Sequence, residues 1–393
     1  MAKFLFKTVR TLIIVLVIVL GLAWAGTIYI HYPNPIQAIR LGLAAPSDTP
    51  TLMPADQLPA STTPQVWPVA LAGSPGNVDW YGTQVPFSTF LTATHTNAFL
   101  IVRNGVITYE WYAKGITPDR RLPSYSVAKT VVAMATGELI KERKLKESDT
   151  FVSIFPEFKT GTKFDNITVG ELIDMRGGVD VPDDYPTGPQ GWGAPIAQMY
   201  ATTDMTNFIQ NHRGMAFTPG TQADYRSVDT QMMGMIIQRV SGMSLSDFVE
   251  QHFWNPIGAQ YLATWNIDHK GGYEKGYCCF NAAARDYAKL GQLMLNGGSA
   301  NGTQLIDSSW MKRMTTSVEP MSIGSKGDHW GYGAFVWHPY PDTNLMLGLH
   351  DQYVFMVPNT KTVIVKLSDN TQEVDEVETA KVLHTLALTG YLR

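Results

Sequence analysis

Two apolar, β-rich runs at 98–102 (AFLIV) and 106–112 (VITYEWY) flank Arg103-Asn104-Gly105. Asn-Gly between such runs supplies the positive-φ pair of a tight hairpin turn, so this segment predicts two antiparallel strands. Residues 130–140 (TVVAMATGELI) then read as a buried helix despite their β-branched start. After a Pro219-Gly220 turn, positions 232–240 place apolar residues at helical spacing. Near the C-terminus, 353–357 and 362–367 are strands joined by Pro358-Asn359-Thr360-Lys361, and 376–388 is a closing helix. The early hairpin and the late strands read as two halves of one antiparallel sheet. The helix-rich stretch at about 139–277 reads as an insert between them, which gives an α+β fold class for a domain at 91–393.

The N-terminus follows a different pattern. Residues 11–30 (TLIIVLVIVLGLAWAGTIYI) carry no charge, and Lys3, Lys7 and Arg10 precede them in a basic tail at 1–10. Twenty apolar residues span a bilayer core, and the basic flank puts the tail on the cytoplasmic side. Ala23-Trp24-Ala25 resembles a signal-peptide cleavage site, but the apolar run continues to Ile30. The expectation is a transmembrane anchor with the remainder exported, periplasmic or extracellular; cleavage after Ala25 would make it secreted. Residues 31–90, with Pro33, Pro35, Pro46, Pro50, Pro54, Pro59 and Pro64, read as a stalk or loosely packed arm. Trp67, Trp80 and Tyr81 suggest that its end docks on the domain.

Chemistry concentrates at Ser126-Val127-Ala128-Lys129, where the helical pattern opens. Residues three apart share a helix face, so Lys129 can take the proton of Ser126 once burial or a nearby cation lowers the amine's pKa. The helix N-terminus also offers N–H groups to an oxyanion. Tyr225, two residues before Ser227, is placed to pass a proton to a leaving group, and Ser227 points the same way if that segment is extended. A polar stretch, Gly348-Leu349-His350-Asp351-Gln352-Tyr353, opens the last pair of strands. Residues 177–193, rich in Gly, Pro and Asp, read as a loop over the cleft that presents Asp183, Asp184, Tyr185 and Trp192 to a substrate.

This order of motifs resembles the serine β-lactamase-like and penicillin-binding-protein-like hydrolases, specifically the class C branch. The segments 172–179, 217–227 with Pro256-Ile257-Gly258, and 284–291 (ARDYAKLG) resemble further blocks of that family. Tyr225-Arg226-Ser227 and 175–185 most resemble 6-aminohexanoate-dimer hydrolases and related esterases, which singles out Tyr185 as a substrate contact. The resemblance covers about 90–390 and implies a β-lactamase/transpeptidase-like fold, an antiparallel sheet flanked by helices. It implies an acyl-enzyme on Ser126, with Lys129 as base and Tyr225 as proton donor. Ser227, His350, Gln352 and Tyr353 are then substrate or oxyanion residues, the second oxyanion N–H coming from Gln352 or Tyr353. Two departures stand out. Class C enzymes carry Tyr-x-Asn where this chain has Ser227, and Lys-Thr-Gly where it has His350-Asp351-Gln352. Without that cation a β-lactam carboxylate loses its partner. In relatives with a Gly-x-x-Gly-Gln strand, Asp351 aligns with the second glycine.

With 393 residues, 45% hydrophobic and a net charge of −4, the chain can bury a large core and shows no sign of nucleic-acid binding. It has no zinc-spaced Cys/His set and no phosphate-binding glycine loop, so no metal or other cofactor is expected. Cys278 and Cys279 are adjacent; since a vicinal disulfide is strained, two buried thiols are expected. The partner is then a small amide or ester. A D-alanyl-D-alanine carboxypeptidase or weak β-lactamase is the alternative, and a non-catalytic binding protein of the same fold is a third. Oligomeric state is not legible.

Overall fold

The computed structural model describes residues 2–184, 193–323, 327–370 and 376–389. Strands β1 (Thr96–Arg103) and β2 (Val106–Tyr112) form the predicted hairpin, with Asn104 at φ 51 and Gly105 at φ 77 in its turn. The C-terminal part supplies β3 (Glu319–Ile323), β4 (Asp328–Gly333), β5 (Val336–His338), β6 (Asn344–Gly348), β7 (Gln352–Val357) and β8 (Thr362–Ser368). They form one antiparallel sheet ordered β3-β4-β5-β6-β7-β8-β1-β2, so the last strand closes on the first hairpin. Between β2 and β3 the described chain adds no strand to this sheet. A smaller sheet joins Ala55–Leu58, Ala263–Asn266, Phe280–Ala282 and Leu122–Pro123.

Seven helices matter for the site: α1 (Ala2–Tyr29), α2 (Pro35–Leu43), α3 (Val127–Lys141), α4 (Pro195–Ala201), α5 (Ser227–Ser241), α6 (Ala284–Leu295) and α7 (Glu376–Leu388). The central strand β7 shows why its sequence is apolar throughout. Val354 and Met356 face α6, whose Gly291 leaves no room for a side chain against Val354 and Val363. Tyr353 and Phe355, on the other face, look toward α7 through Thr379 and His384. Helix α3 is buried on all sides and lies against α5 and β6. Trp310 crosses it where Gly137 has no Cβ, and its indole N–H donates to the Ala133 carbonyl at 3.0 Å.

The segment expected as a stalk is applied to the domain. Ala55–Leu58 pairs with Ala263–Asn266, Ser47 bonds Asp369 through its N–H (2.7 Å) and hydroxyl (2.6 Å), and Asn266 reaches the Pro50 carbonyl at 3.1 Å. Proline removes donors but leaves carbonyls, and here those carbonyls and one exposed strand edge find partners on the domain. The stretch Phe6–Tyr29 of helix α1 is exposed to solvent and is long and apolar enough to cross a membrane.

Filling the space at Gly137 forces Trp310 aside, so Gly137→Ala is expected to cost about 1–3 kcal/mol, the usual range for overpacking. A lower denaturant midpoint with unchanged m would show it; an unchanged midpoint would mean that Trp310 yields freely.

Candidate active site

Ser126 stands at the N-cap of α3, directly after a strained residue: Tyr125 holds φ 43, its ring half-buried and edge-on to His350. The backbone before it is pinned, since the Ser124 N–H donates to the Phe280 carbonyl at 2.8 Å. One turn on, Lys129 is 1% exposed. Its Nζ lies 2.7 Å from Ser126 Oγ, 2.9 Å from Ser227 Oγ and 3.0 Å from the Tyr277 carbonyl oxygen. Burial lowers the amine's pKa to about 7, partly opposed by the negative charge of Asp183.

That set of partners fixes the direction of the neutral amine. The Tyr277 carbonyl only accepts. The Ser227 hydroxyl donates to Asp183 Oδ2 at 2.6 Å, and its N–H to Oδ1 at 2.7 Å, so toward Lys129 it can only accept. Both N–H bonds of the neutral amine are thereby used, and its lone pair is left facing the Ser126 hydroxyl. Ser227 is the first residue of α5 rather than part of an extended segment, and the helical start carries its hydroxyl to Lys129. Asp183, read from sequence as a substrate contact, sits beside Ser227; nothing local in the sequence distinguishes it from Asp184. The Tyr277 carbonyl was equally illegible, being backbone.

Tyr225 brings its hydroxyl within hydrogen-bonding reach of Ser126. Its ring stacks on Trp337 (5.6 Å between centroids) and lies 5.0 Å from Lys129 Nζ. Burial first, and the charge of Asp183 second, push the phenol's pKa up, so it stays protonated and is a donor rather than a base.

The strand beside Ser126 is β6, and here the sequence reading needs correction. A Cβ on Gly348 would strike the Ser124 carbonyl and lie 3.1 Å from the Ser126 nitrogen, so bare backbone is pressed against the helix start. Leu349 follows and lines both sides of the cleft. Gln352 and Tyr353, expected here, belong to β7 between β6 and β8, where the ladders occupy their backbone, and both are fully buried. The Gln352 amide is spent on the His350 (2.9 Å) and Ser368 (2.7 Å) carbonyls. Asp351 turns inward to Lys366 at 3.1 Å, both nearly inaccessible, which accounts for the oddity at that position. His350 lines the cleft, its ring edge-on to Tyr125 at 4.8 Å. Nδ1 lies 2.6 Å from the Asn370 carbonyl, so that nitrogen carries the proton, and burial lowers the ring's pKa. Tyr185 and Trp192 lie outside the described residues.

Two lobes meet at Ser126 and Leu349. One, about 330 Å³, is mainly apolar, with Leu41, Ala44, Ile196, Tyr200 and Cys278 in its walls. The other, about 600 Å³, is polar, and among the described residues its lining is acidic, with Asp183, Asp184, Asp224 and Glu376 beside Arg226. Contrary to the sequence expectation, Cys278 and Cys279 are joined by a disulfide. The chain accommodates it because Cys279 takes the left-handed conformation, φ 68, in a tight turn closed by the Cys278 N–H on the Lys275 carbonyl. A cluster of possible metal donors, Glu138, Glu142 and His252, lies toward the far end of α3, where Glu138 already holds Lys141 at 3.0 Å.

The sequence profile of the beta-lactamase family matches residues 90–388. The 6-aminohexanoate-dimer hydrolase of Paenarthrobacter ureafaciens is 27% identical over 327 residues, covering 79% of this chain and 82% of its own. An Escherichia coli K12 protein named "Putative D-alanyl-D-alanine carboxypeptidase" is 22% identical, and the match spans 49% of this chain and about half, 55%, of that relative. Among solved structures, "Putative 6-aminohexanoate-dimer hydrolase from Bacillus anthracis" superposes with a TM-score of 0.76 at 23% identity, covering 90% of this chain and 94% of that one. A family VIII carboxylesterase superposes at 0.60 with 17% identity, covering 77% and 95%.

The amine is the base only when neutral, so below a pKa of about 7 the reactivity of Ser126 should fall about tenfold per pH unit. Asp183 raises that pKa; Asp183→Asn should therefore move the inflection to lower pH. The rate of Ser126 labelling by a fluorophosphonate across pH reads both, and an inflection that stays put or moves up would refute the role given to Asp183.

Proposed function

The chain belongs to the beta-lactamase family, and on that premise we propose that it hydrolyses a small amide or ester through an acyl-enzyme on Ser126. The observation that carries this reading is the buried Lys129 amine, 2.7 Å from Ser126 Oγ and held by Ser227 and the Tyr277 carbonyl so that, when neutral, its lone pair faces Ser126.

The amine takes the Ser126 proton as Oγ attacks the substrate carbonyl. The developing oxyanion is received by the Ser126 N–H and by the N–H of Leu349, next to the glycine that presses on the helix start. As the tetrahedral intermediate collapses, the Tyr225 phenol gives its proton to the leaving oxygen or nitrogen and is reprotonated from Lys129. In the second half, water enters and loses a proton along the same path. Its oxygen bonds the acyl carbon, and Ser126 leaves with its proton restored.

The two lobes narrow the substrate class. The acidic lobe suits an amine or another cationic group and repels a carboxylate, which favours a linear amide or ester over a β-lactam. The dimer named for the Paenarthrobacter relative carries such an amine at one end and a carboxylate at the other, so its amine end is the one that suits this lobe. The carboxypeptidase reading keeps support from the Escherichia coli relative and from the N-terminal helix. In either reading α1 anchors the enzyme, with the domain exported.

Hydrolysis of p-nitrophenyl butyrate and of the 6-aminohexanoate dimer should vanish in Ser126→Ala. It should fall about 10²–10⁴-fold in Lys129→Met and Tyr225→Phe, as expected for loss of general acid–base catalysis. Residual turnover unchanged by Ser126→Ala would overturn the mechanism. A long-lived fluorescent penicillin adduct on Ser126 would move the assignment to the carboxypeptidase reading.

A further inference from the structure

The apolar lobe beside Ser126 is built from the part of the chain that leaves α1. Helix α2 starts six residues after α1 ends, capped by Asn34, whose side chain accepts from the Gln37 N–H at 3.1 Å. Its inner face turns to the body, with Gln37 donating to the Leu52 carbonyl at 2.7 Å, and its last turn brings Leu41 and Gly42 into the lobe wall. The opposite wall is α4, through Ile196 and Ala197. The chain just after α4 is bonded to the exit of α1, since the Thr203 N–H donates to the His31 carbonyl at 2.7 Å. Both walls are thus fixed at the point where α1 ends.

Among the described residues, the outer face of α2 is largely uncovered. Ile36, Ile39 and Leu43 recur at helical spacing and are 58%, 56% and 81% exposed, with Arg40 among them. An apolar stripe with a basic residue beside it suits the headgroup boundary of an anionic bilayer. Trp24 and Tyr29, both exposed, stand at the end of α1 where interfacial aromatics belong. A helix of this length spans on the order of 13 Å, so the wall of the apolar lobe stays within that reach of the membrane exit.

We propose that α2 lies in the bilayer surface and that the substrate is an amphipathic ester or amide carried by that bilayer, its apolar part entering the lobe between α2 and α4. This rests on the serine hydrolase reading above and adds where the substrate comes from. A surface-lying α2 would hold the lobe open toward lipid, and the acidic lobe would receive the polar part of the same molecule.

The test uses the full chain in vesicles of phosphatidylethanolamine and phosphatidylglycerol, assayed on soluble p-nitrophenyl butyrate and on bilayer-resident 4-methylumbelliferyl oleate. Wild type should hydrolyse both. The variant Ile36→Asp/Ile39→Asp/Leu43→Asp should keep the butyrate rate and lose at least tenfold on the oleate. Leu43→Asp alone, at the most exposed of the three sites, should lose part of the oleate rate and decides the matter should the triple variant lose both activities. Failure to cleave the oleate while butyrate hydrolysis remains dependent on Ser126, or equal oleate rates in wild type and Leu43→Asp, would overturn the proposal and leave the hydrolase reading standing. Butyrate turnover that survives Ser126→Ala would instead bring down the hydrolase reading, and the proposal with it.

Discussion

A lysine amine taken wholly out of water is the constraint around which this molecule is arranged. Lys129 loses its hydration to α3, and a buried charge without compensation is costly, so the amine is driven toward its neutral form. Neutrality then demands two acceptors and one donor at fixed places. The acceptors come from the start of α5 and from the turn before Phe280, and the donor from the start of α3 itself. Three separate pieces of chain must therefore meet within hydrogen-bond distance of one atom. The packing of α3 against α5, and the pinning of Ser124 to Phe280, are what bring them there.

Charge around that amine is balanced rather than minimised. Asp183 is close enough to raise the pKa of Lys129 and so works against the burial that lowers it. The same carboxylate orients Ser227 and keeps the Tyr225 phenol protonated. In the proposed mechanism one acid thus separates the roles of the two groups beside Ser126: the amine is left basic near neutrality, and the phenol gives up its proton only to a strongly basic leaving group.

Where local pattern determines structure, the sequence was legible. The Asn104-Gly105 hairpin, the β7 and β8 pair and the closing helix lie where apolar runs and turn residues put them, because each is decided within a few residues. Ser126 and Lys129 are legible for the same reason, being one turn apart on one helix. What escaped depends on contacts distant in sequence. Asp183 meets Ser227 across 44 positions, and the carbonyls of Pro50 and Pro54 find their partners at Asn266 and at the Ile267 N–H. The Gln352 and Tyr353 assignment failed by register. The three-residue turn at 349–351 puts both residues on the next strand, and only the close approach of Gly348 to Ser126 reveals which strand borders the cleft.

The ion pair between Asp351 and Lys366 constrains how this chain can vary. The two positions form a couple that neither can leave alone. Replacing Asp351 first strands a buried cation, at a cost of about 3–5 kcal/mol for one half of such a pair. Replacing Lys366 first strands the anion. Any path to an uncharged residue at 351 therefore crosses a valley unless both positions change together, and a mutational library that samples one position at a time meets that cost at either end of the pair.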